Sequence, residues 1–387
     1  MTNQNSNTEI SVYRELQQLL HTLPIGFPET KSGADIRILK HLFSPEEAKI
    51  AIYMKFSWDN LELVEVINER AKDLGYTVEE LKERLDKMVS KGAITGYKKG
   101  GTKIYSLAMF MVGMFEWQVN KITKEFADDM HQFMKGGFAM EAASTQITPL
   151  RTIPVEASLT HELNVASYEE LESIIETAEG PFALFNCVCK QLFDVIERPC
   201  KATNRREVCM SWGDMAKFYI DEGWGRQITK EEVKDVLKKN QEEGLILQPG
   251  NSQKPIFICS CCSCCCETLT GIKKLPNPAD YVTTNHYAEV DSDLCAGCES
   301  CFDICQMTAI TIEDNISSVN RKRCIGCGNC VAVCTSGAMA LKKKDKLWVP
   351  PETEVDLYNK IGERKKVLIE REKKRQLRKE KRFNNLN

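Results

Sequence analysis

Cys295-Ala-Gly-Cys298-Glu-Ser-Cys301-Phe-Asp-Ile-Cys305 and Cys324-Ile-Gly-Cys327-Gly-Asn-Cys330-Val-Ala-Val-Cys334 carry one cysteine pattern twice, C-x2-C-x2-C-x3-C. The match goes beyond the cysteines. Gly297 repeats as Gly326, Ala309 as Ala338 and Ile312 as Leu341, all at one constant offset. An internal duplication explains this more simply than chance. Glycines inside such loops permit backbone conformations that aim N–H groups at an anionic centre.

Three thiolates at x2 intervals on a tight loop can each reach one iron of a cube. The stretch resembles the two-cluster, ferredoxin-type iron–sulfur fold over roughly residues 286–345. In that family the fourth ligand of each cluster comes from the other motif. The resemblance therefore implies one [4Fe-4S] cluster held by Cys295, Cys298, Cys301 and Cys334, and a second held by Cys324, Cys327, Cys330 and Cys305. Zinc sites of four cysteines usually show C-x2-C pairs with longer gaps, and a disulfide framework needs an oxidising compartment. One departure stands out: the family's proline after the fourth cysteine is replaced by Gln306 and Thr335. Each has a backbone N–H that proline lacks, and such donors near cluster sulfur raise the potential.

A chain of 387 residues fits two or three domains. All 18 cysteines lie between Cys187 and Cys334, so the expected metal chemistry is confined to the second half. Met1–Glu9 is polar and Asn-rich, unlike a secretory signal, and no apolar run is long enough to span a membrane. Many thiols in that setting predict a reducing cytoplasm and metal ligation, and oxygen-sensitive clusters suit an anaerobe. The net charge of −3 is uneven: residues 360–387 hold twelve Lys or Arg against four Glu, leaving about −11 elsewhere.

The first third reads as helical. Val12–Leu23 forms a short helix before the connection through Pro24, Gly26 and Pro28. Ser44-Pro45-Glu46-Glu47 is a capping box with a first-turn proline. A second helix fits Leu61–Leu74, stopped by Gly75, and a third starts at Thr77 with Glu80 completing another box. Ala93–Tyr97 and Lys103–Leu107 flank Lys98-Lys99-Gly100-Gly101 as a hairpin. This order resembles a winged helix-turn-helix, in which the third helix enters the DNA major groove. Here that helix carries Glu79, Glu80, Glu83 and Asp86 among Lys82, Arg84 and Lys87, a face that meets phosphates poorly. A protein-docking or structural role is the stronger expectation, although Lys98, Lys99 and Lys103 on the wing favour nucleic acid mildly. Residues 111–140 are expected to be helical, with Phe115, Val119, Ile122 and Phe126 at helical spacing and Trp117, Met130, His131, Met134 and Met140 in an apolar face.

The middle region holds ten cysteines. Phe182–Phe185 reads as a strand running into Cys187-Val188-Cys189, whose alternate thiolates would share a face. Cys200 follows Pro199, and Cys209 precedes a helix expected near Ser211, so Cys187, Cys189, Cys200 and Cys209 make a candidate single site. Leu245–Leu247 and Ile256–Ile258 are strands, the latter entering Cys259-Ser260-Cys261-Cys262-Ser263-Cys264-Cys265-Cys266. Six cysteines in eight residues cannot all face one way. At least one further iron–sulfur cluster is expected from these ten, with zinc or redox thiols as alternatives. The order of segments is similar to a group of prokaryotic dicluster iron–sulfur proteins. Leu23-Pro24-Ile25-Gly26-Phe27-Pro28, Cys187-Val188-Cys189-Lys190, the Cys259–Cys266 run and the eight ferredoxin cysteines carry that resemblance.

The expected architecture is therefore α+β and multidomain. A winged-helix-like domain (1–145) precedes a Cys-rich α/β region (146–284), a two-cluster ferredoxin-like domain (285–347) and a charged helix or tail (348–387), its helix spanning Asp356–Arg382. The expected function is one-electron transfer through two or more clusters, in partnership with a larger oxidoreductase. No G-x-G-x-x-G follows a strand and no C-x3-C-x2-C run occurs, so nicotinamide and radical S-adenosylmethionine chemistry find no support. A redox-sensing DNA-binding regulator and an iron–sulfur enzyme with its site in Cys187–Cys266 are the alternatives.

Overall fold

The computed structural model describes residues 2–384. The amino-terminal part comprises α1 (Thr2–His21), α2 (Ala34–Leu42), α3 (Pro45–Ile52), α4 (Val64–Arg70) and α5 (Val78–Ser90), then a hairpin of β1 (Thr95–Lys99) and β2 (Thr102–Ser106). Local chemistry sets these boundaries. The Ser44 and Thr77 hydroxyls each accept from the N–H three residues on, and Glu47 and Glu80 reach back to the cap N–H. Residues 111–140 do not form the continuous helix that their spacing predicts. Phe110–Met114 is a distorted turn and Glu116–Gln118 a single 3-10 turn, followed by α6 (Lys124–Phe133) and α7 (Ala139–Ala143). Extended backbone at Met111 and Val112 breaks the ladder. Phe115, Trp117 and Phe126 are still buried, but Met140 is 76% exposed.

The middle part contains α8 (Leu171–Thr177), β3 (Phe182–Asn186), α9 (Val188–Val195), β4 (Glu207–Trp212), α10 (Asp214–Asp221), β5 (Gly225–Ile228), α11 (Lys230–Glu242), β6 (Ile246–Pro249), β7 (Phe257–Cys261) and α12 (Glu267–Lys273). Its strands form one antiparallel sheet in the order β5-β3-β4-β7-β6. Alternation divides the strand residues between two faces. Phe182, Leu184, Met210 and Ile258 pack with Ile174, Val233 and Leu237 of α8 and α11. Ala183 and Cys209 face the other way, into the core shared with the amino-terminal helices. Two expectations change here. Cys187 and Cys189 do not continue the strand, because Cys187 caps α9 and Cys189 lies in its first turn. Cys209 lies within β4, and the next helix waits for the turn at Gly213, whose φ is 64°.

The last part carries β8 (His286–Val290), α13 (Ser300–Ile304), β9 (Ile310–Glu313), β10 (Ile316–Val319), α14 (Asn329–Ala332) and β11 (Met339–Lys343). β8 pairs with β11, and β9 with β10, both antiparallel. The final helix, α15 (Glu354–Asn384), is no free tail at its start. Leu357, Tyr358 and Ile361 are buried, and the buried Lys365 ammonium lies 2.6 Å from Glu141 and donates to the Leu23 carbonyl at 2.9 Å. The Leu23–Pro28 segment is thereby clasped between α7 and α15, with the Gly26 N–H donating to Glu141 at 3.1 Å. Among the described residues, no helix is long and apolar enough to cross a membrane.

Candidate metal centres

The duplicated motif repeats in the backbone. Gly297 and Gly326 both adopt left-handed conformations (φ 63° and 65°), as do Glu299 and Gly328 before α13 and α14 (φ 63° and 78°). Gly326 has no alternative: a Cβ there would run into the His286 carbonyl oxygen. Each triad of cysteines thus wraps a loop that closes on the first turn of a helix.

The thiols collect into two cavities. Cys295, Cys298, Cys301 and Cys334 line one, with Gly297 and Ser317. Cys305, Cys324, Cys327 and Cys330 line another, with Ile246, Gln306, Met307 and Ile325. Backbone donors converge on the sulfurs. The N–H of Ser317 reaches Cys295 at 3.5 Å, Ala309 reaches Cys305 at 3.2 Å, Ala288 reaches Cys324 at 3.3 Å and Met339 reaches Cys334 at 3.4 Å. The Ser317 and Gly297 N–H groups and the Ser317 hydroxyl hold Cys295 below the usual thiol range. Burial pushes Cys327 up to about 12. A concave, thiol-lined space with N–H groups aimed at sulfur fits a [4Fe-4S] cluster in donor chemistry. The two cavities differ in exposure: Cys298 is exposed and Cys295 half-buried, whereas Cys324 and Cys330 are buried.

Gln306, singled out for its backbone, does more through its side chain. Its Oε1 accepts from the Ser263 N–H at 2.7 Å and its Nε2 donates to the Gly244 carbonyl at 2.5 Å. Asn329 donates to the same carbonyl at 2.7 Å. The second cavity is therefore held directly against the middle region.

The ten middle cysteines do not divide as their sequence order suggests. Cys187, Cys189, Cys266, Cys261, Cys259 and Cys209 form a closed ring in which each thiol interacts with two neighbours. Strand period places Cys259 and Cys261 on one face of β7, and Cys209 comes from neighbouring β4. Cys187 and Cys266 are the N-caps of α9 and α12, where aligned backbone N–H groups favour thiolate. Both lie well below the usual thiol range, chiefly through hydrogen bonds from ring neighbours. Cys259 is likewise pulled down, chiefly by its hydrogen bonds with Cys209 and Cys261, while Cys189, Cys209 and Cys261 are pushed up.

Cys200 joins a different set, with Cys262, Cys264 and Cys265. Neighbours in sequence thus part company, Cys261 from Cys262 and Cys266 from Cys265. Between the sets lies Lys190, 1% exposed, its Nζ 3.5 Å from the Cys262 sulfur. Burial alone would lower its pKa, but the charges of Cys187, Cys262, Cys200 and Cys209 outweigh that and raise it.

Sequence reasoning missed the groups around the ring. Glu116 is pushed up to about 8, mainly by burial, with Cys259 and Cys187 contributing. The Tyr358 ring stacks on Trp58 at 4.8 Å, and its hydroxyl has no hydrogen-bond partner among the described residues. Burial raises the Tyr219 and Tyr358 hydroxyls, with Cys259 adding to both. His131, expected to be structural, faces Glu267 across 3.2 Å and packs edge-on against Phe193. Nothing in the sequence marks Glu116 or Tyr358, since each reaches the ring from a distant segment.

Residues 287–335 match the family model of the 4Fe-4S dicluster domain. No curated protein and no solved structure matches the chain. The matched segment contains all eight ferredoxin-type cysteines, from Cys295 to Cys334. The chain is an iron–sulfur protein of mixed helix and sheet, with its 4Fe-4S domain toward the carboxyl end.

Proposed function

We propose that the chain is a one-electron relay working with a separate redox protein in the cytoplasm. Cys295, Cys298, Cys301 and Cys334 would hold one [4Fe-4S] cluster, and Cys305, Cys324, Cys327 and Cys330 a second. A cluster so held supplies reversible one-electron storage. The chain's own residues provide position and tuning: N–H groups of Ser317, Ala309, Ala288 and Met339 address the sulfurs, and the apolar shell excludes water. The thiol ring of Cys187, Cys189, Cys209, Cys259, Cys261 and Cys266 would hold a further iron–sulfur centre.

The observation that carries this reading is the ordering of the thiol sets from surface to interior. The Cys298 set reaches the surface at Cys298, whereas no cysteine of the Cys324 set is exposed. Cys261 and Cys266 of the ring then share an apolar cluster with Met307, Ile325 and Cys327. Such contiguity suits short-range electron exchange between an outside partner and an interior site.

Iron and acid-labile sulfide counted on anaerobically purified chain, with EPR during stepwise reduction, test the proposal. The expected result is more than eight irons and more than eight sulfides, the numbers two cubanes hold, with magnetically interacting signals on full reduction. A chain with no reducible signal would refute it, and eight sulfides alone would remove the ring centre.

One observation favours a second reading, an iron–sulfur enzyme acting at the ring. Glu116 and the unpartnered Tyr358 hydroxyl place proton-carrying groups at the buried end of the ordering. DNA-dependent regulation gains less. Lys82 and Lys103 pair with Asp86, and Arg84 faces Glu46. These cations are already engaged by carboxylates.

A further inference from the structure

Cys262, Cys264 and Cys265 sit on the turn between β7 and α12, and Cys200 on the loop that leaves α9. Cys262 and Cys265 are fully buried, and Cys200 is 7% exposed. The four sulfurs all lie within 4.8 Å of one another. Cys200 is 3.5 Å from Cys262 and 3.8 Å from Cys264, which is 3.4 Å from Cys262 and 3.7 Å from Cys265.

These separations discriminate between kinds of metal centre. Around one tetrahedral ion with metal–sulfur bonds of about 2.3 Å, neighbouring sulfurs stand about 3.8 Å apart. In a cubane each thiolate binds a different iron, and the inorganic core holds the sulfurs further apart. The chain supplies its own comparison. The two ferredoxin-type foursomes each surround a cavity, and among the described residues neither forms a set with all sulfurs within 4.8 Å.

We propose that Cys200, Cys262, Cys264 and Cys265 hold a single metal ion as a tetrathiolate, distinct from every iron–sulfur cluster of the chain. Zinc and a single iron share this coordination chemistry. Binding exchanges four thiol protons for one divalent ion, leaving a net charge of −2. The environment is built for that charge. The Lys190 ammonium lies 3.5 Å from the Cys262 sulfur, and the Lys201 N–H donates to Cys264 at 3.4 Å. All four positions are protein thiols, so the ion has no open position for substrate. Its role is to lock the loop after α9 onto the β7–α12 turn, which fixes the adjacent Cys261 and Cys266 in the ring. The inference stands whether or not the chain relays electrons.

The test compares zinc, iron and acid-labile sulfide in the anaerobically purified full chain and in its Cys200→Ser/Cys264→Ser double variant. The expected result is loss of one metal ion per chain, zinc or iron, with sulfide unchanged. Iron and sulfide lost together in equal numbers would mean a cluster and overturn the proposal. No loss of metal would overturn it equally. Should the variant fail to fold, the wild-type chain decides. X-ray absorption at the zinc edge should find four sulfurs at about 2.3 Å and no neighbouring metal. If the chain carries no zinc, Mössbauer spectroscopy should find one uncoupled high-spin iron. Absence of both would end the proposal.

Discussion

Replacing Lys190 with methionine removes a buried positive charge while keeping most of the side-chain volume. The ammonium is 1% exposed and lies 3.5 Å from the Cys262 sulfur. At an effective dielectric of about 20, a unit pair at that separation interacts by about 5 kcal/mol. A tetrathiolate of charge −2 places half a unit on each sulfur, so this sulfur contributes about 2 kcal/mol. Relief from burying the ammonium opposes part of that loss. The expected net effect is roughly 1–2 kcal/mol, or about fivefold to thirtyfold weaker retention of the metal. Competition with a chromophoric chelator under anaerobic conditions measures it, with the EPR signals of the ferredoxin-type clusters as a control for folding. A Lys190→Met chain that keeps its metal as tightly as wild type, with those signals intact, would refute the electrostatic role.

Glu354 begins α15 and is buried, with its folded-state pKa raised to about 7 by burial, against the hydrogen bond from Ser252 and the charge of Arg151. The folded chain therefore binds the proton more tightly than the unfolded one, so stability falls as pH rises from about 4.5 to about 7. Glu354→Gln should gain stability relative to wild type across that window, on the order of 2–3 kcal/mol by pH 8, read as a rising difference in thermal midpoint. Gly326→Ala forces a left-handed alanine, costing about 1–2 kcal/mol, against the His286 carbonyl. Loss of iron and sulfide from the Cys324 set, with the Cys295 set retained, is the expected result. Gln306→Ala deletes the bonds to Ser263 and Gly244 and should lower stability by roughly 2 kcal/mol in denaturant unfolding. Gln306→Pro and Thr335→Pro should lower the cluster potentials in voltammetry through the lost N–H.

What the sequence determined is what short-range covalent spacing controls. The repeated C-x2-C-x2-C-x3-C pattern, with Gly297 and Gly326, already implies two loops able to wrap a cluster. Ser44 and Thr77 mark helix starts because a cap and its Glu lie within one turn. The tertiary structure decided the rest. Cys187, Cys189, Cys200 and Cys209 read as one site along the chain, yet Cys200 leaves for Cys264, and the other three join Cys259, Cys261 and Cys266. Adjacent residues point to different sides of the backbone. Which side meets which partner depends on the pairing of β4 with β7 and on where α9 and α12 begin. Lys190, Glu116 and Tyr358 show the same limit. A buried charge or hydroxyl is defined by what surrounds it, and their surroundings come from segments far away in the chain.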